Sequence, residues 1–298
     1  MNRARQWWQG FAVQGIQWRR FVDWAVLNVP ACLHPLLIWI ATFFFFFIAT
    51  PARRAVVRNL GVVLPDSRPL ANYLRTFRVF ANFGWMLTDA AVQRLRHQAF
   101  TFEFEGESFL DELAKVGGAI ILTAHMGNYD LGAALFAERF KRPIRIVRAP
   151  EPDAITAQHV DLAFHQSGNV KVDYSDHGTT LVFDLLNALR GGEIISVQGD
   201  RVVGDLSRSP IGFFGRKALF PTGPFVLSLA SETPIYPLFV LRVGYRKYKV
   251  TACPPIVCSH TDRPRDEKVA EAMAQWSQVL EKAVKRNWPQ WYAFIALF

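Results

Sequence analysis

The chain has 298 residues, enough for one large α/β domain with a further segment. Half of it is hydrophobic and 14% aromatic, with a mean hydropathy of +0.10, too oily for an ordinary soluble enzyme and too polar for a multi-span transporter. The net charge of +9 raises nucleic acid as a partner, but its distribution argues otherwise.

Residues 1–60 carry Arg3, Arg5, Arg19, Arg20, Arg53, Arg54 and Arg58 against the single acid Asp23, while the remaining residues are almost balanced. This basic excess accompanies Trp7, Trp8, Trp18 and Trp24 and flanks the most apolar stretch of the chain. Arginine and tryptophan beside an apolar run suit anionic headgroups and the membrane interface. A phosphate-backbone groove would need its charge spread along a polar face. The expected partner is therefore a membrane surface, with no nucleic acid.

The apolar stretch runs over 29–48 and includes Phe43 to Phe47. As a helix it would cover roughly 30 Å. Pro30, His34 and Pro35 interrupt its first third, leaving 36–50 as the clean part. A tilted or short span, a re-entrant segment and an interfacial helix all fit. Bases on both sides give no orientation, and a cleavable signal peptide is not expected. The competing reading is a buried core helix, against which five consecutive phenylalanines argue.

Beyond Pro51 helical spacing covers 70–96, followed by a strand at 100–104, a helix at 107–116 and an apolar strand at 119–123. A helix from about 128 leads to a strand at 144–147, a helix at 153–165 and a strand at 170–172. A helix at 179–190 precedes a strand at 193–197, and a helix at 224–231 precedes strands at 235–243 and 247–252. A helix over 266–286 closes the chain. This alternation predicts an α/β fold with a mixed, largely parallel sheet flanked by helices, plus an N-terminal hydrophobic membrane-associating helix. The organisation read from it is a membrane-anchoring segment at 1–55 and a catalytic domain at 56–298.

Cys32, Cys253 and Cys258 make no disulfide framework, so a reducing compartment is expected. Cys253, Cys258 and His260 lack a fourth ligand for zinc. The stretch with Asp173, Asp176 and His177 reads as a loop before a helix rather than a metal site. No metal is expected. There is also no G-x-S-x-G elbow, H-E-x-x-H motif, P-loop or dinucleotide turn.

The chemistry concentrates after strand 119–123, in Ala124-His125-Met126-Gly127-Asn128-Tyr129-Asp130. A strand ending in His and Gly, with Asn as a candidate N-cap, puts His125 at the carboxyl edge of the sheet, where ligands gather in open α/β folds. Asp130 falls in the first helical turn, where the helix dipole favours its charge. Folded back toward the imidazole, Asp130 would fix its tautomer and leave the other nitrogen to take a proton from a hydroxyl or amine. H-x4-D pairing is common by chance, and on spacing alone a satisfied structural histidine is the better reading. A second strand ends in Gln198-Gly199-Asp200-Arg201, followed by Phe213-Phe214-Gly215-Arg216, Phe220-Pro221-Thr222-Gly223-Pro224-Phe225 and Pro234-Ile235-Tyr236-Pro237.

In these blocks the sequence resembles the lysophospholipid and glycerolipid acyltransferase superfamily, and within it the bacterial lipid A late acyltransferases. His125 and Asp130 match its H-x4-D block, Gln198 to Arg201 resembles its Glu-Gly-x-Arg block with the glutamate absent, and Pro234 to Pro237 matches its Pro-Ile-x-Pro strand. The closing Pro289-Gln290-Trp291-Tyr292 also resembles the tail of the lipid A branch. The Gly-Asp-Arg, Phe-Phe-Gly and Phe-Pro-x-Gly-Pro-Phe combination is most similar to a subgroup associated with aryl-polyene or unusual-lipid pathways. A second arginine after Arg148 is missing, since the corresponding helix reads Phe164-His165-Gln166.

The resemblance implies direct acyl transfer at the cytoplasmic face of a bacterial inner membrane, without an acyl-enzyme. His125 and Asp130 would be catalytic, and the donor would be a thioester of acyl carrier protein or CoA, a substrate and not a cofactor. The acceptor would be a membrane lipid or glycolipid. Substrate-binding candidates are Asn128, Arg148, Gln198, Asp200, Arg201 and Arg216; Asp200 would take over the missing glutamate's role, position Arg201 or contact the acceptor. Backbone N–H groups or Arg201 would stabilise the oxyanion, and Arg148 or Arg216 would hold a carrier or acceptor phosphate. For the arginines the alternative is a surface residue or a structural ion pair. The competing function is a non-catalytic membrane-bound lipid carrier or scaffold on the same fold.

Overall fold

The computed structural model describes residues 16–66, 68–151, 154–165, 170–175, 178–202, 206–258 and 262–298. Arg3, Arg5, Trp7, Trp8, Gln166, Asp176, His177 and His260, singled out above, lie outside these residues.

Four helices come first: α1 (Ile16–Asn28), α2 (His34–Ile48), α3 (Thr50–Val63) and α4 (Pro69–Arg96). The prolines do not spoil α2 as the sequence suggests. Pro30 precedes a short 3₁₀ turn at Ala31–Leu33 and Pro35 sits in the first turn of α2, where a missing N–H costs nothing. Ala31–Ile48 is thereby a continuous segment of mean hydropathy 2.1, long and apolar enough to cross a membrane. It is not a core helix. It buries His34, Ile38 and Thr42 but exposes Leu36, Trp39, Ile40, Phe43, Phe44 and Phe47, a contiguous apolar surface of the kind that meets lipid.

The alternating part follows: β1 (Thr101–Glu105), α5 (Glu107–Lys115), β2 (Ala119–Thr123), α6 (Tyr129–Phe140), β3 (Ile144–Arg148), α7 (Ala154–His165), β4 (Val170–Tyr174), α8 (Gly178–Arg190) and β5 (Ile194–Gln198). Then come β6 (Arg208–Phe213), β7 (Arg216–Pro221), α9 (Gly223–Ser231), β8 (Ile235–Gly244), β9 (Lys247–Ala252) and α10 (Arg265–Asn287). The seven-stranded sheet has the order β1-β9-β8-β2-β5-β3-β4, parallel throughout except between β8 and β9. The fold is thus the mixed, mostly parallel α/β architecture expected. The antiparallel hairpin of β6 and β7 is new relative to the sequence reading. Pro210 and two exposed glycines dilute the alternation that would reveal it.

The fully buried run of β2 is what a central parallel strand requires, with both faces covered by helices. One core lies under α8, α9 and α10 around Trp276, Phe225 and Phe239, and the other under α5 and α6 around Phe136 and Tyr248. The N-terminal helices attach to the rest through aromatic packing of Phe80 and Phe83 on Tyr292 and Phe294, while the ion pair Arg94–Asp23 ties α4 to α1. Two of the cysteines are withdrawn from easy chemistry: Cys258 is buried with its Sγ toward the Phe225 carbonyl and Cys253 is half-buried, burial pushing both thiols up.

Candidate active site

Sheet register builds the centre of the site. β2 and β5 are parallel neighbours in which Thr123 stands opposite Gln198, and adjacent strands lie about 4.8 Å apart. Two residues further along each chain, His125 and Asp200 leave the sheet side by side. The imidazole Nδ1 lies 2.7 Å from Asp200 Oδ1, and the His125 backbone N–H donates to the same oxygen at 3.1 Å. Trp291 Nε1–H donates to the other carboxylate oxygen at 3.2 Å. Asp200 is completely buried, so these three donors replace its water.

Two glycines permit this closeness. Gly127 has φ of +63°, and a Cβ there would run into the Val240 carbonyl. A Cβ on Gly199 would meet Leu122 Cδ1 at 2.7 Å and Trp276 Nε1 at 3.2 Å; as glycine, its carbonyl accepts the Trp276 indole N–H instead.

The last residues of the chain clamp the His125 loop. Gly127 N–H donates to the Gln290 carbonyl, Tyr292 N–H donates to the His125 carbonyl at 2.8 Å, and Met126 bridges to Trp291. Arg201 donates from Nη1 to the Tyr292 carbonyl at 2.9 Å. Trp291 and Tyr292 hold the His125 loop and its carboxylate partner, and residue chemistry alone does not single them out. Their trace in the sequence is the aromatic pair of the closing Pro-Gln-Trp-Tyr.

Electrostatics define a ready base. Burial lowers the His125 pKa below its ordinary value, with the cations Arg201 and Arg148 adding to burial and Asp200 opposing it. Burial raises the Asp200 carboxyl, but the facing imidazole, its hydrogen bond and Arg201 outweigh that and hold it well below the usual carboxylate range. An ionised Asp200 can only accept, so Nδ1 carries the proton and Nε2 offers its lone pair. The imidazole keeps 17% of its side-chain surface open.

Asp130 does not orient the imidazole. It sits in the first turn of α6, where its Oδ1 accepts from Arg148 Nη1 at 3.0 Å. Arg148, at the end of β3, also lies 3.8 Å from Glu151 and over the Phe164 ring. Burial lowers the Arg148 pKa, but Asp130 and its other anionic neighbours outweigh that, and the guanidinium is held charged. The H-x4-D spacing suggested the nearer acid, but helix geometry turns it toward β3 while register delivers Asp200.

Asn128 is engaged within the fold. Its side chain is fully buried: Oδ1 caps α6 by accepting from Leu131 N–H at 3.1 Å, and Nδ2 donates to the Met86 carbonyl and the Tyr248 hydroxyl. Gln198 is half-buried at the end of β5 beside Thr123. Arg216 is exposed at the tip of the β6–β7 hairpin, outside the polar contacts joining His125, Asp200 and Arg201. Among the described residues no His, Cys, Asp and Glu side chains group in a way that would hold a metal ion.

Residues 16–298 match the family described as bacterial lipid A biosynthesis acyltransferase. The chain belongs to that family. The match takes in the four N-terminal helices of this acyltransferase family member as well as the sheet that carries His125. No curated protein matches the chain. The family carries acyl transfer to a lipid acceptor, which an imidazole at the edge of a sheet, next to an apolar helical layer, is suited to serve.

Proposed function

We propose that the protein transfers a fatty acyl group from a thioester donor, acyl carrier protein or CoA, to a hydroxyl or amine of a membrane lipid or glycolipid at the cytoplasmic face of a bacterial inner membrane. No cofactor takes part. His125 Nε2 takes the acceptor proton as the acceptor oxygen or nitrogen attacks the thioester carbonyl. The tetrahedral oxyanion forms near Arg201, whose charge favours it. Collapse breaks the carbon–sulfur bond, and the departing thiolate takes the proton back from the imidazolium. Asp200 holds the tautomer and stabilises the transient imidazolium, the part that the sequence suggested for Asp130. Arg148, with Asp130, lies close enough to bias the site toward anionic groups of donor or acceptor.

The single observation that supports this reading is the 2.7 Å contact of Nδ1 with a buried carboxylate, which leaves Nε2 as the free base. The family match supports the lipid acceptor. The test is incubation of purified protein with labelled acyl carrier protein or acyl-CoA and total bacterial lipid. A labelled lipid product with the wild type and none with His125→Ala is expected. Stoichiometric acyl binding without product would replace catalysis with a carrier function.

A further inference from the structure

Beside the catalytic loop, the N-terminal helices enclose a space that the mechanism does not use. It is a cleft of about 820 Å³, its open mouth included, between α1, α2 and α4. Its walls are almost wholly apolar, among them Ala25 on α1, Leu37 and Ala41 on α2, and Phe83 and Gly84 on α4. Two of its polar side chains are engaged with backbone carbonyls: Thr88 donates to Gly84 at 2.9 Å, and the His34 ring bonds Val29 at 3.1 Å. The walls thus suit hydrocarbon and offer little to a headgroup.

Two relationships say what fills it. The outer faces of α1 and α2 expose Phe21, Trp24, Trp39 and Phe43, so the cleft lies within the surface that meets lipid. Of its lining residues, Phe83 and Phe294 pack on each other at 5.0 Å, and Phe83 packs on Tyr292 at 5.2 Å. Tyr292 in turn donates its backbone N–H to the His125 carbonyl. One aromatic layer therefore separates the cleft from the catalytic loop.

We infer that this cleft holds a hydrocarbon tail of the membrane-resident acceptor while His125 deprotonates its head. The inference rests on the acyl-transfer reading and assigns the acceptor's place in it. A tail already in the bilayer enters between α1 and α2 without crossing water, whereas a carrier-bound or CoA-bound chain arrives from the aqueous side. Tail burial here would contribute binding energy remote from the reacting atoms, which enzymes use to position them. Gly84 helps to shape the walls: a Cβ there would meet Ile38 Cγ2 at 3.1 Å, so α4 and α2 approach closely on one side of the space.

Ala41→Trp and, separately, Leu37→Trp would fill the cleft from α2, and two readouts test the assignment. In vesicles of bacterial phospholipid containing phosphatidylethanolamine with a diazirine-tagged acyl chain, wild-type protein should crosslink on the α4 wall at residues 83–88. Either variant should lose about tenfold of that labelling, while labelling of the exposed face of α2 persists. In transfer assays on bacterial lipid, both variants should raise KM for the lipid about tenfold and leave donor chain-length preference unchanged. Absence of wall labelling in the wild type overturns the inference, as does a shift of donor preference to shorter chains, which would give the cleft to the donor. Wall labelling without any turnover would instead overturn the acyl-transfer reading and leave the tail site standing. Thermal melting of both variants, with the second position as a check on the first, separates a filled cleft from a misfolded protein.

Discussion

Trp291 donates its indole N–H to Asp200 Oδ2 at 3.2 Å, joining the end of the chain to the acid that faces His125. The same Asp200 carboxylate takes the imidazole and the backbone of His125 on its other oxygen. Trp291→Phe keeps the ring in the core but removes one donor. Asp200 becomes more basic, pulls harder on the imidazole proton and raises the His125 pKa. The acidic limb of the rate profile should therefore move to higher pH, with kcat at neutral pH falling less than about tenfold. Superposable pH profiles would mean that the indole only packs.

The two acids near His125 should separate cleanly by mutation. Asp200→Asn removes the acceptor that fixes the tautomer and should lower kcat by about 10²–10⁴-fold with little change in KM. Asp130→Asn loosens Arg148 and should act mainly on KM, by about tenfold. Steady-state kinetics on both variants decide the matter, and a larger kcat loss at Asp130 would return the orienting role to it.

The wild-type pH profile follows from the direction of the shifts. Because burial and neighbouring cations lower the His125 pKa, the base stays neutral through physiological pH. Activity should hold constant as pH falls toward the ordinary histidine value of about 6.5 and decline only below it, as the imidazole protonates. Asp200, held low, should add no second limb across the same window. A measured acidic limb above about 7 would contradict the burial that sets this order.

Asn128→Ala should act on stability and not on substrate affinity. It removes the α6 N-cap and the bonds to Met86 and Tyr248. The cap alone is worth about 1 kcal/mol, and the buried partners left behind add about 1–3 kcal/mol. A lower denaturation midpoint with unchanged KM is expected; the reverse pattern would make Asn128 a ligand after all.

Much of this protein was legible in its residues. The apolar run with its five phenylalanines, the strand–helix alternation and the position of His125 after a buried strand are local patterns, and periodicity reports them directly. Asn128 as a helix cap was readable for the same reason, since capping depends on a neighbour three residues away. The hairpin at residues 208–221 was missed because Pro210 and exposed glycines blur its alternation.

The partner of the imidazole belonged to tertiary structure. His125 and Asp200 are 75 residues apart, and they meet because β5 docks alongside β2 in a register that sets Thr123 against Gln198. Sequence spacing favoured Asp130 because proximity along a chain is visible, whereas strand order across a parallel sheet depends on crossover connections whose packing no short window encodes. The residues supplied the imidazole and two candidate carboxylate partners; the sheet chose between them.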